Sequence, residues 1–261
     1  MRKITISGNW KMNKTKEDAL SLISEVKELS TSNQAECILF PPSIHLNQCE
    51  LLLSNSNISY GAQNLYSEEE GAFTGELSAK MLTSYHCKHV LIGHSERRTL
   101  FKESNPFLNK KCHIAFQNKL TPTLCIGETL EERKTNQTFT ILDKQLKEGL
   151  LDISEDTLNN HRLIIAYEPV WAIGTGVVAS PEQAQEAHQY IRSTLSSIFS
   201  EKTAQNITIQ YGGSVKPENI ETLISLPDID GALVGGACLK AEPFMSIIKV
   251  ASHYQEKLIT Q

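Results

Sequence analysis

A strand-then-helix rhythm repeats from one end of the chain to the other, and no other feature restricts the fold so tightly. Short apolar runs that read as strands fall at Ile4–Trp10, Cys37–Phe40, Ile58–Ala62, His89–Ile92, Thr121–Ile126, Arg162–Tyr167, Ile207–Tyr211 and Ala232–Val234. Helical signals stand between them. Thr15 and Asp18 form a capping box ahead of Ala19, Leu22, Ile23, Val26 and Leu29, which recur on one helical face. Ser180-Pro181-Glu182-Gln183 combines a cap, a first-turn proline and a capping partner, and Ala184, Ala187, Ile191, Leu195 and Ile198 follow at helical spacing. Further helices are predicted over about 43–53, 78–85 and 137–150, and from Pro243 onward. Parallel strands need a crossover to return the chain, and a helix is the usual one. Eight such units in 261 residues favour an α/β chain closed into a single (β/α)8 barrel domain over 1–261, rather than an open doubly wound sheet.

Composition narrows the function. A net charge of −5 with no long run of one sign argues against a nucleic-acid surface. No apolar run approaches the roughly 20 residues of a membrane span. Met1-Arg2-Lys3 is basic, but Asn9, Lys11 and Asn13 follow too soon for a signal-peptide core. Six cysteines, at 37, 49, 87, 112, 125 and 238, contain no C-x-x-C pair and read as reduced, mostly buried thiols of a cytoplasmic protein.

In a barrel of this kind chemistry sits at the C-terminal ends of the strands. Those ends carry Asn9 and Lys11, then His94 and Glu96, then Glu168, and finally the glycine turns Gly212-Gly213-Ser214 and Gly235-Gly236. Glu168 closes an apolar strand and precedes Pro169 and the glycine-hinged stretch to Gly176, as a general base under a movable lid would. The turns after the last two strands stand where such barrels build a phosphate cradle from backbone N–H groups. Each residue also has a plain reading: a solvated lysine, a helix-start histidine, a first-turn acid, ordinary turns. Their gathering on one rim favours the functional one. Two motifs are set aside. Gly174 to Ala179 matches G-x-G-x-x-A, but it lies beyond its strand and no acid stands about 20 residues on. His86-Cys87-Lys88-His89 looks like a metal cluster, yet it spans a helix end and a strand start. The residues by themselves reach acid/base catalysis on a small phosphorylated molecule.

GNWKMN (8–13), GHSERR (93–98), CIGETLEER (125–133), AYEPVWAIGTG (166–176), YGGSVKP (211–217) and DGALVGGACLK (230–240) together resemble the triosephosphate isomerase family, in its order and spacing and over essentially the whole chain. The resemblance implies a TIM-barrel homodimer of the cytoplasm, working in glycolysis and gluconeogenesis. It implies interconversion of dihydroxyacetone phosphate and D-glyceraldehyde 3-phosphate through an enediol(ate), with no cofactor and no metal. Glu168 is then the base, His94 the electrophile and proton shuttle, and Lys11, held by Asn9 and Glu96, the cation facing the enediolate. The phosphate rests on backbone N–H groups of Gly174, Ser214, Gly235 and Gly236. The resemblance further implies that the loop around Thr74 docks into the neighbouring subunit and braces Asn9 and Lys11. Burial near Pro169 is expected to raise the basicity of Glu168. Three stretches depart from the family: Val177-Val178-Ala179 where Lys-Thr-Ala is common, Asn105-Pro106 where a more acidic segment is common, and the divergent residues 134–160.

Two other functions use the same residues. A Schiff-base aldolase would need Lys11 as nucleophile, and a borohydride-trapped adduct would identify it. A barrel that only binds phosphate ligands or partner proteins would show no turnover.

Overall fold

Strands of a closed barrel are covered on both faces, so they are written as near-continuous apolar runs, and the eight found here are almost wholly buried. The computed structural model describes residues 2–30, 34–173 and 179–260. The strands are β1 (Thr5–Asn9), β2 (Glu36–Phe40), β3 (Ile58–Ala62), β4 (His89–Ile92), β5 (Thr121–Ile126), β6 (Ile164–Tyr167), β7 (Thr208–Tyr211) and β8 (Gly231–Val234). They close in sequence order, all parallel, with Thr5 of β1 paired to both Glu36 and Gly231. The described chain is a (β/α)8 barrel.

Alternation along the strands makes two cores. Ile38, Phe40, Leu91, Cys125, Ile164, Ala166 and Leu233 fill the barrel, while their outward neighbours, such as Leu39, Val90, Leu124 and Ile165, meet the helices in a second, larger cluster. Burying each of the valine, leucine, isoleucine and phenylalanine side chains is worth roughly 1.5–3 kcal/mol.

Of the twelve helices among the described residues, six are short. The twelve are α1 (Lys16–Leu29), α2 (Leu46–Leu53), α3 (Ala79–Ser84), α4 (Ser95–Leu100), α5 (Asn105–Gln117), α6 (Leu130–Lys134), α7 (Thr138–Gly149), α8 (Glu155–Asn160), α9 (Pro181–Ile198), α10 (Glu201–Asn206), α11 (Ile220–Ile224) and α12 (Ala241–Thr260). The capping boxes Thr15/Asp18 and Ser180/Gln183 form as the sequence indicates. The helix predicted from Ser43 is a 3₁₀ turn over Ser43–His45 followed by α2, and α12 begins at Ala241, two residues ahead of Pro243. A proline is tolerated there because first-turn N–H groups have no helical partner to lose. For the same reason Pro106 sits in the first turn of α5 without breaking it.

The histidine-cysteine stretch after α3 does not converge. His86 is exposed and pairs with Glu50 at 2.6 Å, Cys87 is buried, and His89 turns into the barrel edge-on to Phe40. All six cysteines are free and buried, and burial pushes the thiols of Cys49, Cys87 and Cys112 up to about 12.

Candidate active site

The strand ends bring Asn9, Lys11, His94, Glu168, Ser214, Gly235 and Gly236 around one cavity of about 540 Å³. Glu96 lines an adjoining cavity of about 690 Å³ together with Asn9, Lys11 and His94. Gly174 and the pair Val177-Val178 lie outside the described residues.

Lys11 follows β1 in a left-handed conformation, φ 53°, which costs a residue with a Cβ about 1–2 kcal/mol. Neighbouring polar groups hold it there. Its backbone N–H donates to Asn9 Oδ1 at 3.0 Å, and its carbonyl accepts from Gln63 Nε2 at 2.9 Å. Gln63 Nε2 also reaches Phe40 O at 2.9 Å, tying the ends of β1 and β2 together. The Lys11 ammonium pairs with Glu96 Oε1 at 2.6 Å.

Glu168 stands one residue past β6, and its N–H continues the β ladder to Ile126 O at 2.7 Å. Its side chain is 2% exposed, with Oε1 3.0 Å from His94 Nε2 and Oε2 accepting the Ser95 N–H at 2.8 Å. Glycine is required on both flanks: a Cβ on Gly127 would lie 1.8 Å from Glu168 O, and one on Gly212 would lie 2.9 Å from Glu168 Cγ.

The expectation that burial makes Glu168 more basic does not hold in this arrangement. Burial does push its pKa up, but the His94 charge and hydrogen bond, the Ser95 N–H and Lys11 together outweigh it and hold the carboxyl below its usual range. His94 shows the mirror image: burial pushes it down, and the carboxylate of Glu168 raises it above 6.5. The other ring nitrogen, Nδ1, accepts the Glu96 N–H at 3.2 Å, which fixes the Nε2–H tautomer of the neutral ring. The raised pKa therefore belongs to the contact with Glu168, whereas the neutral tautomer is written into the backbone of α4.

Three contributors were not singled out in the sequence. Ser95 supplies a backbone donor, and Gln63 is the clamp on Lys11. Glu128 is fully buried beyond β5, where it accepts from Tyr167 OH at 3.1 Å, Trp171 Nε1 at 2.9 Å and Arg133 at 3.1 Å. Its carbonyl also takes the Val170 N–H at 3.1 Å, so Glu128 anchors the start of the stretch that leaves Glu168. The rule that chemistry gathers at strand ends would have found both Gln63 and Glu128.

The triosephosphate isomerase family model matches residues 4–251. A triosephosphate isomerase of Geotalea uraniireducens is 48% identical over 250 residues, covering 95% of this chain and 99% of the relative. Those of Citrifermentans bemidjiense and Fusobacterium nucleatum are 49% and 45% identical, covering 95% and 97% of this chain and 99% and 100% of their own lengths. With a family model over nearly the whole chain and relatives 45–49% identical along it, the chain belongs to the triosephosphate isomerase family.

Proposed function

We propose that Glu168, His94 and Lys11 divide between them the work of an aldose–ketose isomerase acting on dihydroxyacetone phosphate and D-glyceraldehyde 3-phosphate. The observation that carries this reading is a buried carboxylate, an imidazole with a fixed Nε2–H and an ammonium at one strand-end cavity. Glu168 removes the proton from the carbon beside the carbonyl. Electrons move onto the carbonyl oxygen, where the His94 Nε2–H and the Lys11 ammonium meet the developing charge. Glu168, now protonated, returns its proton to the neighbouring carbon, and His94 moves the hydroxyl proton between the two oxygens.

The geometry imposes an order on these steps. His94 Nε2 is occupied by Glu168 at 3.0 Å, so the same Nε2–H cannot bind a carbonyl until the carboxylate leaves. Binding of substrate therefore displaces Glu168 from His94 and Ser95 and aims it at the carbon. Losing His94 and Ser95 removes the larger of the influences that depress its pKa, leaving that of Lys11, and basicity rises as substrate arrives. Backbone N–H groups of Ser214, Gly235 and Gly236 hold the phosphate, and a Cβ on Gly236 would meet nothing within 4 Å, so the approach is open. The reading assigns Gly174 to the same cradle.

The same reading takes the chain as one barrel domain over 1–261 and a cytoplasmic homodimer. The Thr74 arm is pinned by Tyr66 N–H to Leu77 O at 2.8 Å and by the Tyr66–Phe73 ring contact at 4.5 Å. Beside Lys11 lies the 690 Å³ cavity, rimmed by Met12, Leu100 and Phe101, which are 96%, 70% and 64% exposed. A second copy's arm would cover these apolar groups and brace Asn9 and Lys11. Buried, unpaired thiols agree with a reducing compartment.

The test is a coupled assay in both directions on Lys11→Met, which keeps the apolar stem and removes the cation. Turnover should fall and KM should rise, because substrate and intermediate are both anionic. Unchanged constants would leave Lys11 as a surface charge and remove it from the mechanism.

A further inference from the structure

Arg98, on α4, brings its guanidinium to the ends of β4 and β5. Its Nε donates to Gly93 O at 2.9 Å and to Cys125 O at 3.2 Å, and a terminal nitrogen reaches Cys125 O at 2.8 Å. Both carbonyls matter to the site. Gly93, at φ +71°, leads into His94, and Cys125 precedes Ile126, whose carbonyl holds the Glu168 N–H at 2.7 Å. The two members of the His94–Glu168 pair thus hang from backbone that Arg98 fixes.

Such a cation ordinarily has a carboxylate beside it. Among the described residues Arg98 makes no direct salt bridge, and the carboxylates of Glu168 and Glu103 act on it without touching it. Its remaining contact is to the neutral Asn105 Oδ1 at 2.5 Å, and Asn105 Nδ2 in turn donates to Glu148 Oε2 on α7 at 2.9 Å. The amide orientation is forced, since a guanidinium only donates and a carboxylate only accepts. Glu148 polarises the amide, and the polarised amide holds the guanidinium more firmly. A cavity of about 490 Å³, bordered by Ser95, Arg98, Asn105, Gly127, Glu148 and Val170, leaves this corner without close packing. Hydrogen bonds therefore have to do there what packing does elsewhere.

We propose that Glu148 and Asn105 are positioning residues: they form an amide relay that holds the Arg98 guanidinium in place and thereby sets the spacing of His94 and Glu168. The inference rests on the isomerase reading of that pair. Glu148 touches neither substrate nor the cavity around Lys11, and it acts only through Asn105 and Arg98.

The experiment compares the full-length chain with Glu148→Gln and with the double variant Asn105→Asp/Glu148→Gln, after circular dichroism has verified the fold of each. Glu148→Gln should lower kcat three- to tenfold with KM for dihydroxyacetone phosphate changed less than twofold. The double variant should return kcat to within twofold of the parent, because Asn105→Asp puts a carboxylate directly on Arg98. A merely structural corner would instead show a lower Tm with kcat unchanged, or a kcat loss that Asn105→Asp fails to repair, and either result overturns the relay. The ¹⁵N signals of the His94 ring give the same comparison without substrate: they should shift in Glu148→Gln and return in the double variant. Absence of turnover in the parent would count against the isomerase reading, while an unmoved His94 signal would count against the relay.

Discussion

Replacing Gln63 by leucine tests whether the backbone of Lys11, rather than only its charge, is part of the catalytic apparatus. Leucine keeps most of the volume but removes Nε2, which donates at 2.9 Å to both Lys11 O and Phe40 O. Phe40 O keeps its bond from the Trp10 N–H at 3.1 Å, so the cost falls mainly on Lys11 O. An acceptor left unsatisfied in this way costs about 1–3 kcal/mol. That spans the roughly 1–2 kcal/mol by which the left-handed φ of Lys11 is disfavoured. Without the clamp, a relaxed conformation that carries the ammonium away from the cavity comes within reach. If the loss is felt in full at the transition state, kcat/KM drops about tenfold, since 1.4 kcal/mol is a factor of ten. The coupled isomerisation assay reads this directly, with thermal melting to separate it from unfolding. A kcat/KM within twofold of the parent, beside a lowered Tm, would show that Asn9 and Glu96 hold Lys11 unaided.

Two further outcomes are expected. Burial drives the His89 pKa down to about 4, against the opposing pull of Glu36 and with the help of Arg162 and Lys88. The unfolded chain therefore takes this proton first, and stability present above about pH 6.5 is lost as pH falls toward 4. Relative to His89→Gln, the parent should lose about 2 kcal/mol in urea unfolding between pH 7 and pH 5, and parallel curves would refute it. Replacing Thr74 by arginine at the tip of the arm should yield monomers of low activity in sedimentation run alongside the assay. A fully active monomer would remove the partner from the site.

The fold was legible because burial on both faces writes each strand as an apolar run, from Ile4 to Val234, that no helix period competes with. The long helices α1 and α9 show both caps and period, and α7 shows a period without a side-chain cap. Helices such as α6, α8 and α10 have five or six residues, less than two turns, and a period cannot be read from so short a stretch. At the site, Asn9, Lys11, His94, Glu96 and Glu168 could be found by their place at strand ends. What the order of residues conceals is which groups meet. Ser95 reaches Glu168 across 73 positions, Gln63 reaches Lys11 across 52, and Trp171 reaches Glu128 across 43. The depressed pKa of Glu168 is a product of those meetings, which is why reasoning from burial alone gave it the wrong sign.

The account stands on Glu168 as the group that takes the carbon-bound proton. Glu168→Gln keeps the size of the side chain and an oxygen for the Ser95 N–H, but an amide cannot accept that proton. Turnover of dihydroxyacetone phosphate is the measurement, with inorganic phosphate as a competing ligand to report on the cradle. The expected result is a fall in kcat of about 10²–10⁴, the usual contribution of a positioned base, with phosphate inhibition unchanged. A purified, folded Glu168→Gln variant turning over within tenfold of the parent would contradict it.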